Sequence, residues 1–480
     1  MNWLILAQIF YVLILIAVCL RILYETHSTS KTLAYLLFSI FIPIVGMAFY
    51  LSFGINYWQR KRYGKKLKMD NELIDKLRTE VGSYNKVSLK AGDEALKQNS
   101  ELASMLIRDL GSPITGNNSV QLLVNGEEKF PALLRSIEEA KYHIHIEYYI
   151  FEYDETGSEI IELLIKKAKE GVEVRFIYDD FGSPSIKRST ERRMKEAGIE
   201  VHPFHKVLFY LLANRINYRN HRKIVVIDGS IGYIGGINIS RRYTNVPAQK
   251  LFWRDTHLKL EGPSVYYLQY LFLADWNFCC DNKLDPHERF FQQANIPEKI
   301  FVQIAASGPD SIQPSILYAI LQTIYLAKKE IFITTPYFIP GDSVLEALCV
   351  AALSGLDVKL LVPGTCDSRL VNAASQSYYH QLLEAGVQVY LYQKGFVHAK
   401  TIVTDGQLSM VGTANMDYRS FELNFEVNAI VYDKNIAGQL RQLFLEDLEQ
   451  SKQIDKEEWL NRPGYVKFPE KLARLFSPVL

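Results

Sequence analysis

Asn220-His221-Arg222-Lys223-Ile224-Val225-Val226-Ile227-Asp228-Gly229 and, much later, Val397-His398-Ala399-Lys400-Thr401-Ile402-Val403-Thr404-Asp405-Gly406 share one pattern. Both read H-x-K-x4-D, and both are followed by a second glycine and an asparagine, in Gly235-Gly236-Ile237-Asn238 and Gly412-Thr413-Ala414-Asn415. The β-branched run between Lys and Asp predicts a strand, on which residues two apart point to the same face, so each ring and ammonium can reach a single phosphate. Asp-Gly predicts a tight turn, after which the chain runs back and returns Asn238 or Asn415 beside its own His and Lys. The aspartates, seven residues from the histidines, are roughly 20 Å away along the strand. Asp228 and Asp405, although part of the motif, are therefore expected to be structural.

The surroundings of the two motifs also repeat. Ala140-Lys141 leads into an alternating strand from His143 to Phe151, a helix from Ser158 to Glu170, a strand from Val172 to Tyr178, a helix ending at Ala197-Gly198 and the strand Ile199-Glu200-Val201. Ala327-Lys328 leads into a strand from Ile331 to Phe338, a helix from Val344 to Ser354, a strand from Val358 to Val362, a helix ending at Ala385-Gly386 and the strand from Val387 to Tyr390. Strands alternating with helices predict βαβ units. The expected fold is α/β: two pseudo-repeated lobes with mostly parallel sheets flanked by helices, at about 121–300 and 301–480, with the site where they meet. A further acidic pair aligns downstream of the motifs, Asp255 in Trp253-Arg254-Asp255-Thr256-His257 and Glu426 in Asn424-Phe425-Glu426. A histidine working as nucleophile or acid needs an acceptor on its other ring nitrogen. Asp255 and Glu426 are candidates for that role; the alternative is solvated charges at strand ends.

The amino terminus reads differently. Trp3 to Leu20 is apolar but for Gln8, and a second apolar run extends from Thr32 to Phe53. Each is near the roughly 20 residues that cross a bilayer. Residues 1–56 are thus expected to form a hairpin of two spans kinked at Pro43 and Gly46, with a shallow re-entrant hairpin as the alternative. A cleaved signal peptide fits poorly, since no basic residue precedes the first run and no small-x-small site follows it. Arg60, Lys61, Arg62, Lys65, Lys66 and Lys68 follow the second run, which places the rest of the chain in the cytoplasm by the positive-inside rule. The same cluster could also bind anionic head groups. Residues 57–120 are polar and helix-prone, at Asn71 to Arg78 and Ala91 to Leu110, and read as linker and packing helices.

Lys plus Arg (54) balance Asp plus Glu (53) in the 480 residues, which argues against non-specific nucleic-acid binding. Five cysteines without a C-x-x-C pair argue against a disulfide framework or a zinc site.

Paired H-x-K-x4-D motifs with the trailing Gly and Asn resemble the phospholipase D superfamily, over roughly residues 120 to 480. Asn217-Tyr218-Arg219-Asn220, Asn415-Met416-Asp417-Tyr418-Arg419-Ser420-Phe421 and the two amino-terminal runs narrow the resemblance to bacterial cardiolipin synthases. That resemblance implies a membrane enzyme acting on phosphatidylglycerol to give cardiolipin, with His221 as nucleophile, His398 as general acid and base, and Lys223, Lys400, Asn238 and Asn415 stabilising charge on the phosphate. The near-symmetric halves would also permit the reverse assignment of the histidines. With two ammonium groups on the phosphate, no metal or other cofactor is expected. Gly236 stands where the second lobe has Thr413, so the hydroxyl that contacts phosphate in many members is expected to be missing from lobe one.

The first lobe also carries eleven extra residues before its histidine, including Val207-Leu208-Phe209-Tyr210-Leu211-Leu212. These either dip into the bilayer or pack against the other lobe. Competing readings of the whole are a nuclease, a phospholipase D or a phosphatidyltransferase using another head group, and a scaffold with a dead site. The membrane runs and the neutral charge balance oppose the first, and two intact motifs oppose the last. Oligomeric state has no sequence signal.

Overall fold

The structure, a computed structural model, describes residues 3–25, 29–50, 93–204, 218–247, 251–280, 282–292 and 296–477. The basic cluster at 60–68, the expected helix 71–78 and the apolar insertion 207–212 lie outside the described residues.

The helices of the first fifty residues and the α/β body form separate compact units. In the first, helix Trp3–Glu25 is followed by Thr29–Phe41 and, after a break at Ile42-Pro43, by Pro43–Phe49. The break falls where proline removes a backbone donor. Val18, Ile22 and Tyr50 are buried against Tyr35, Leu36 and Met47, whereas most of the apolar surface of the first helix is exposed. Ile5–Glu25 is long and apolar enough to cross a membrane.

In the body the strands are β1 (Thr115–Val124), β2 (His143–Tyr148), β3 (Glu173–Tyr178), β4 (Glu200–Pro203), β5 (Lys223–Ile227), β6 (Ile231–Gly235), β7 (Phe252–Arg254) and β8 (Thr256–Glu261). The second half supplies β9 (Ile300–Ser307), β10 (Glu330–Thr334), β11 (Phe338–Ile339), β12 (Asp357–Pro363), β13 (Gln388–Tyr392), β14 (Gly395–Val397), β15 (Thr401–Thr404), β16 (Leu408–Gly412), β17 (Met416–Asp417), β18 (Glu426–Tyr432) and β19 (Ser451–Gln453).

The order β1-β8-β6-β5-β2-β3-β4 is repeated as β9-β18-β16-β15-β10-β12-β13, and β1 pairs antiparallel with β9 to join the halves into one fifteen-stranded sheet. The duplication is therefore visible strand by strand, but the expectation of mostly parallel sheets is corrected. Only β2-β3-β4 and β10-β12-β13 pair in parallel, and every other pairing in the large sheet is antiparallel. The reason lies in the connections. Helices join the parallel strands, whereas tight turns join β5 to β6 and β15 to β16, and a two-residue turn can link only antiparallel neighbours. Strand β1 also starts inside the stretch expected to be linker, and the helices Glu94–Gln98 and Ser100–Leu110 pack into the core of the second half.

The turns form as Asp-Gly predicts, with Asp228, Gly229, Asp405 and Gly406 all at positive φ, between 50° and 66°. Each aspartate then caps the start of the neighbouring parallel strand. Asp228 accepts from the backbone N–H groups of Lys141, Tyr142 and His143, and Asp405 from those of Lys328, Lys329 and Glu330, all at 2.7–3.0 Å. Strand β5, Lys-Ile-Val-Val-Ile, is buried throughout, as a central strand covered on both faces must be.

Candidate active site

Each H-x-K segment enters the sheet from a pairing with the opposite half. Asn220 bridges Phe425, and the His221 N–H donates to the Phe425 carbonyl at 2.9 Å. Strand β14, ending at Val397, pairs in parallel with β7, and the His398 N–H donates to the Arg254 carbonyl at 2.7 Å. The acidic residues Asp255 and Glu426 follow those two carbonyls by one residue. They consequently serve the histidine of the other half. Nδ1 of His221 lies 2.9 Å from the Glu426 carboxylate, and Nδ1 of His398 lies 2.7 Å from Asp255. Both acids are fully buried, so they are not solvated strand-end charges. An anionic acceptor on Nδ1 fixes a proton there and leaves Nε2 with its lone pair.

The lysines stand alongside. Nζ of Lys400 is 3.0 and 3.1 Å from the two ring nitrogens of His398, and Nζ of Lys223 donates to the His221 carbonyl at 2.8 Å. Burial, and for His398 next the charge of Lys400, lowers both imidazoles to about 4 despite their carboxylate partners. Burial likewise lowers Lys223 to about 7 and Lys400 to about 8, partly offset by Glu426 and Asp255. Glu426 is pushed up by burial but ends below the ordinary carboxylate range, because His221, Lys223 and the Thr413 hydroxyl favour its anion. Each half's histidine feels the other half's lysine, so the two motifs make one electrostatic cluster. A buried set of two ammonium groups and two imidazoles strongly favours an incoming anion, and that anion in turn raises the pKa of the imidazoles.

The asparagines differ. Asn238 donates to the Tyr243 hydroxyl at 2.9 Å and accepts from the Ile150 N–H, while the side-chain oxygen of Asn415 is buried without a hydrogen-bond partner among the described residues. Thr413 also departs from expectation. Its hydroxyl donates to the Glu426 carboxylate and accepts from the Val427 N–H, so in this structure it braces the acid that holds His221. At Gly236 a β-carbon would come within 2.1 Å of an Asp255 oxygen. Glycine there makes room for the shorter acid.

Several contributors had no spacing signal in the sequence. Tyr149 packs edge-on against His221 at 4.8 Å between ring centroids, and Trp253, Tyr243 and Phe396 surround His398 at 5.6–6.0 Å. Arg222 donates to Asp275 and Asn220 to Glu147, forming a buried charged network behind His221. Burial and the nearby Asp275 push the Glu147 carboxyl well above the usual range. Among the described residues no group of three or more His, Cys, Asp or Glu is arranged to hold a metal ion.

Comparison with known proteins bears on this arrangement. The family described as "Cardiolipin synthase, PLD-like domain" matches residues 133–253 and 320–448, and a phospholipase D-nuclease N-terminal family matches 9–54. A cardiolipin synthase of Listeria welshimeri is 42% identical over 95% of both chains, and the major cardiolipin synthase of Bacillus subtilis is 40% identical over 99% of both. The chain belongs to the cardiolipin synthase family. Among solved structures, the phosphatidylserine synthase of Haemophilus influenzae shares the fold, with a TM-score of 0.59 at 14% identity, covering 81% of this chain and all of that one. The two PLD-like matches fall within the repeated halves, and each takes in one complete H-x-K-x4-D motif of this cardiolipin synthase family member.

Proposed function

We propose that the chain transfers a phosphatidyl group from one phosphatidylglycerol to another, giving cardiolipin and glycerol through a phosphohistidine. The carrying observation is the crossed constellation, two His-Lys pairs each held by the carboxylate of the other half. It supports a two-step displacement of the kind covalent catalysis requires. Nε2 of His221 attacks phosphorus, the P–O bond to glycerol breaks, and His398 donates the proton that the departing oxygen needs. The head-group hydroxyl of a second phosphatidylglycerol then loses its proton to His398 and attacks phosphorus, and the P–N bond to His221 breaks. Lys223, Lys400, Asn238 and Asn415 stabilise the non-bridging oxygens. Glu426 and Asp255 hold the rings and stabilise each imidazolium as it forms.

At the amino terminus the same proposal has two spans. Helix Trp3–Glu25 is the first, and Thr29 to Phe49, kinked at Pro43, is long enough at 1.5 Å per residue to be the second. The basic residues from Arg60 to Lys68 favour a cytoplasmic α/β body.

The test is the purified full chain in detergent or vesicles with phosphatidylglycerol alone and chelator present, followed by mass spectrometry. Cardiolipin plus free glycerol, lost in His221→Ala, is the expected result. Phosphatidic acid without cardiolipin would make water the acceptor and overturn the reading.

A further inference from the structure

The last helix, Gly464–Arg474, has three differently built sides. Its inner side carries Glu470, Ala473 and, just beyond the helix end, Ser477. Glu470 receives both terminal nitrogens of Arg462 at 2.7 and 2.9 Å, and Ser477 hydrogen-bonds the Tyr378 hydroxyl at 3.0 Å, which fastens the segment to helix Arg369–Ala385. The outer side carries Tyr465, Phe468 and Leu472, continued by Leu475 and Phe476, at the spacing of one helical face. All five are exposed, Tyr465 at 79%, Phe468 at 67% and Leu475 at 74%. A continuous apolar stripe of this kind is not ordinary surface. Lys467, Lys471 and Arg474 line one flank of it, and the acid of the helix, Glu470, is already neutralised by Arg462.

The carboxyl end of the helix reaches the functional end of the second half. Arg474 lies 4.3 Å from the Tyr378 ring centroid and 3.6 Å from Asp342, at the start of helix Gly341–Leu353. A β-carbon on Gly341 would lie 3.1 Å from the ring of Tyr418, the residue that follows Asn415-Met416-Asp417, and β17 in that segment pairs with β11. The turn end of the body, with Asp228 and Tyr142, is a strand length away from the histidines.

We propose that the outer face of this helix lies in the head-group region of an anionic bilayer, as a second membrane contact beside the mouth of the site. Apolar and aromatic side chains on one side and lysine and arginine on the next are the composition of helices that rest in the plane of an interface. A second copy of the chain would not call for the basic flank, whereas anionic lipid does. The inference rests on the lipid-substrate reading above.

Its test needs no turnover, so the two can fail separately. Phe468→Trp, Leu472→Trp and, as a control at the turn end, Tyr142→Trp are each placed in the full chain and reconstituted in vesicles containing phosphatidylglycerol with brominated acyl chains. The added emission at 468 and 472 is expected to be quenched, and that at 142 to be unaffected. A Lys471→Glu change in the Phe468→Trp chain should weaken the quenching. Unquenched emission at 468 and 472 overturns the proposal, and unquenched emission with self-association that Phe468→Ser abolishes would assign the face to a second copy. In a second arm, Phe468→Ser with Leu475→Ser should lose activity on vesicles while keeping the parent rate on phosphatidylglycerol dispersed in detergent. Equal loss in both would make the stripe structural and overturn it as well.

Discussion

In the first half the motif histidine stands among charges; in the second it stands among rings. His221 lies between Asn220 and Arg222, whose side chains run back to Glu147 and Asp275, and its acid Glu426 is braced by Thr413. His398 lies between Val397 and Ala399 in the apolar core, framed by Trp253, Tyr243 and Phe396, and its acid Asp255 fits only because residue 236 is glycine. Duplication kept the backbone, the Asp-Gly turns and the crossed carboxylates, and allowed the shells behind the histidines to diverge. On the proposed mechanism, a rigid polar shell suits His221 as the ring that attacks phosphorus, and His398, with Lys400 against both ring nitrogens, is the proton carrier.

The largest expected effect separates the two duties. His221→Ala should lower cardiolipin formation by on the order of 10⁴-fold or more, since loss of a nucleophile leaves only binding and charge stabilisation. His398→Ala should cost about 10²–10⁴-fold, the usual range for general acid-base catalysis, and should still accumulate a phosphatidyl adduct on His221 visible in the intact mass. An adduct in His221→Ala and none in His398→Ala would reverse the assignment.

The crossing itself can be broken next. Glu426→Gln should behave as a weakened His221→Ala and Asp255→Asn as a weakened His398→Ala, each losing up to about 10⁴-fold, as when the acid of a catalytic triad is neutralised. If each acid works through the opposite half, Glu426→Gln adds nothing in a His221→Ala background but multiplies the defect of Asp255→Asn. Rates measured in these two double variants decide this.

The pH profile sharpens the same comparison. Attack needs His221 neutral and glycerol release needs His398 protonated, and in the free enzyme both change state near pH 4. Lysines at about 7 and about 8 lose the charge that binds phosphate as pH rises through those values. kcat/KM should therefore peak near pH 4 and fall above it, more steeply beyond about 7, and Lys223→Arg, if active, should move that steepening up toward the value of Lys400, because arginine stays charged. A steepening unmoved in that variant would exclude Lys223 from it.

Smaller effects test the divergent shells. Thr413→Val removes a hydrogen bond to a charged group, worth about 1.5–3 kcal/mol, so a loss of about ten- to a hundredfold is expected if the whole of it is felt in the transition state. Gly236→Ala forces Asp255 off its position beside His398, where displacement by about 1 Å costs about a hundredfold. Both should slow adduct formation, because His221 attacks and His398 protonates the leaving glycerol in the same step.

Much of this was legible in the residues. The βαβ repeat, the Asp-Gly turns and the strand-capping place of Asp228 and Asp405 follow from local spacing, which a sequence carries directly. What escaped it is long-range. The antiparallel majority of the sheet depends on how β1, β8, β9 and β18 close each half, and no local period reports that. The crossed pairing of Glu426 with His221 and the network of Arg222 with Asp275 join residues far apart in the chain. Thr413 illustrates a subtler gap: its alignment with Gly236 was plain, but its partner was not, because a hydroxyl beside a phosphate site can face the phosphate or the acid behind it.

The aspartates that end both motifs should show the least effect on turnover and the most symmetric one. Each caps three backbone N–H groups at the head of a parallel strand, in a turn where its own φ is positive. Asp228→Ala and Asp405→Ala therefore lose a three-donor acceptor and place alanine in the left-handed region, a combined destabilisation of about 2–4 kcal/mol. Because the two turns share one geometry, the loss should be similar in both, read as a lower thermal midpoint, with turnover near the parent value below that transition. A large fall in kcat at temperatures where the variant remains folded would mean that the turn end of the strand communicates with the histidines some 20 Å away. Unequal destabilisation would instead mean that the halves have diverged in stability as well as in the shells around their histidines.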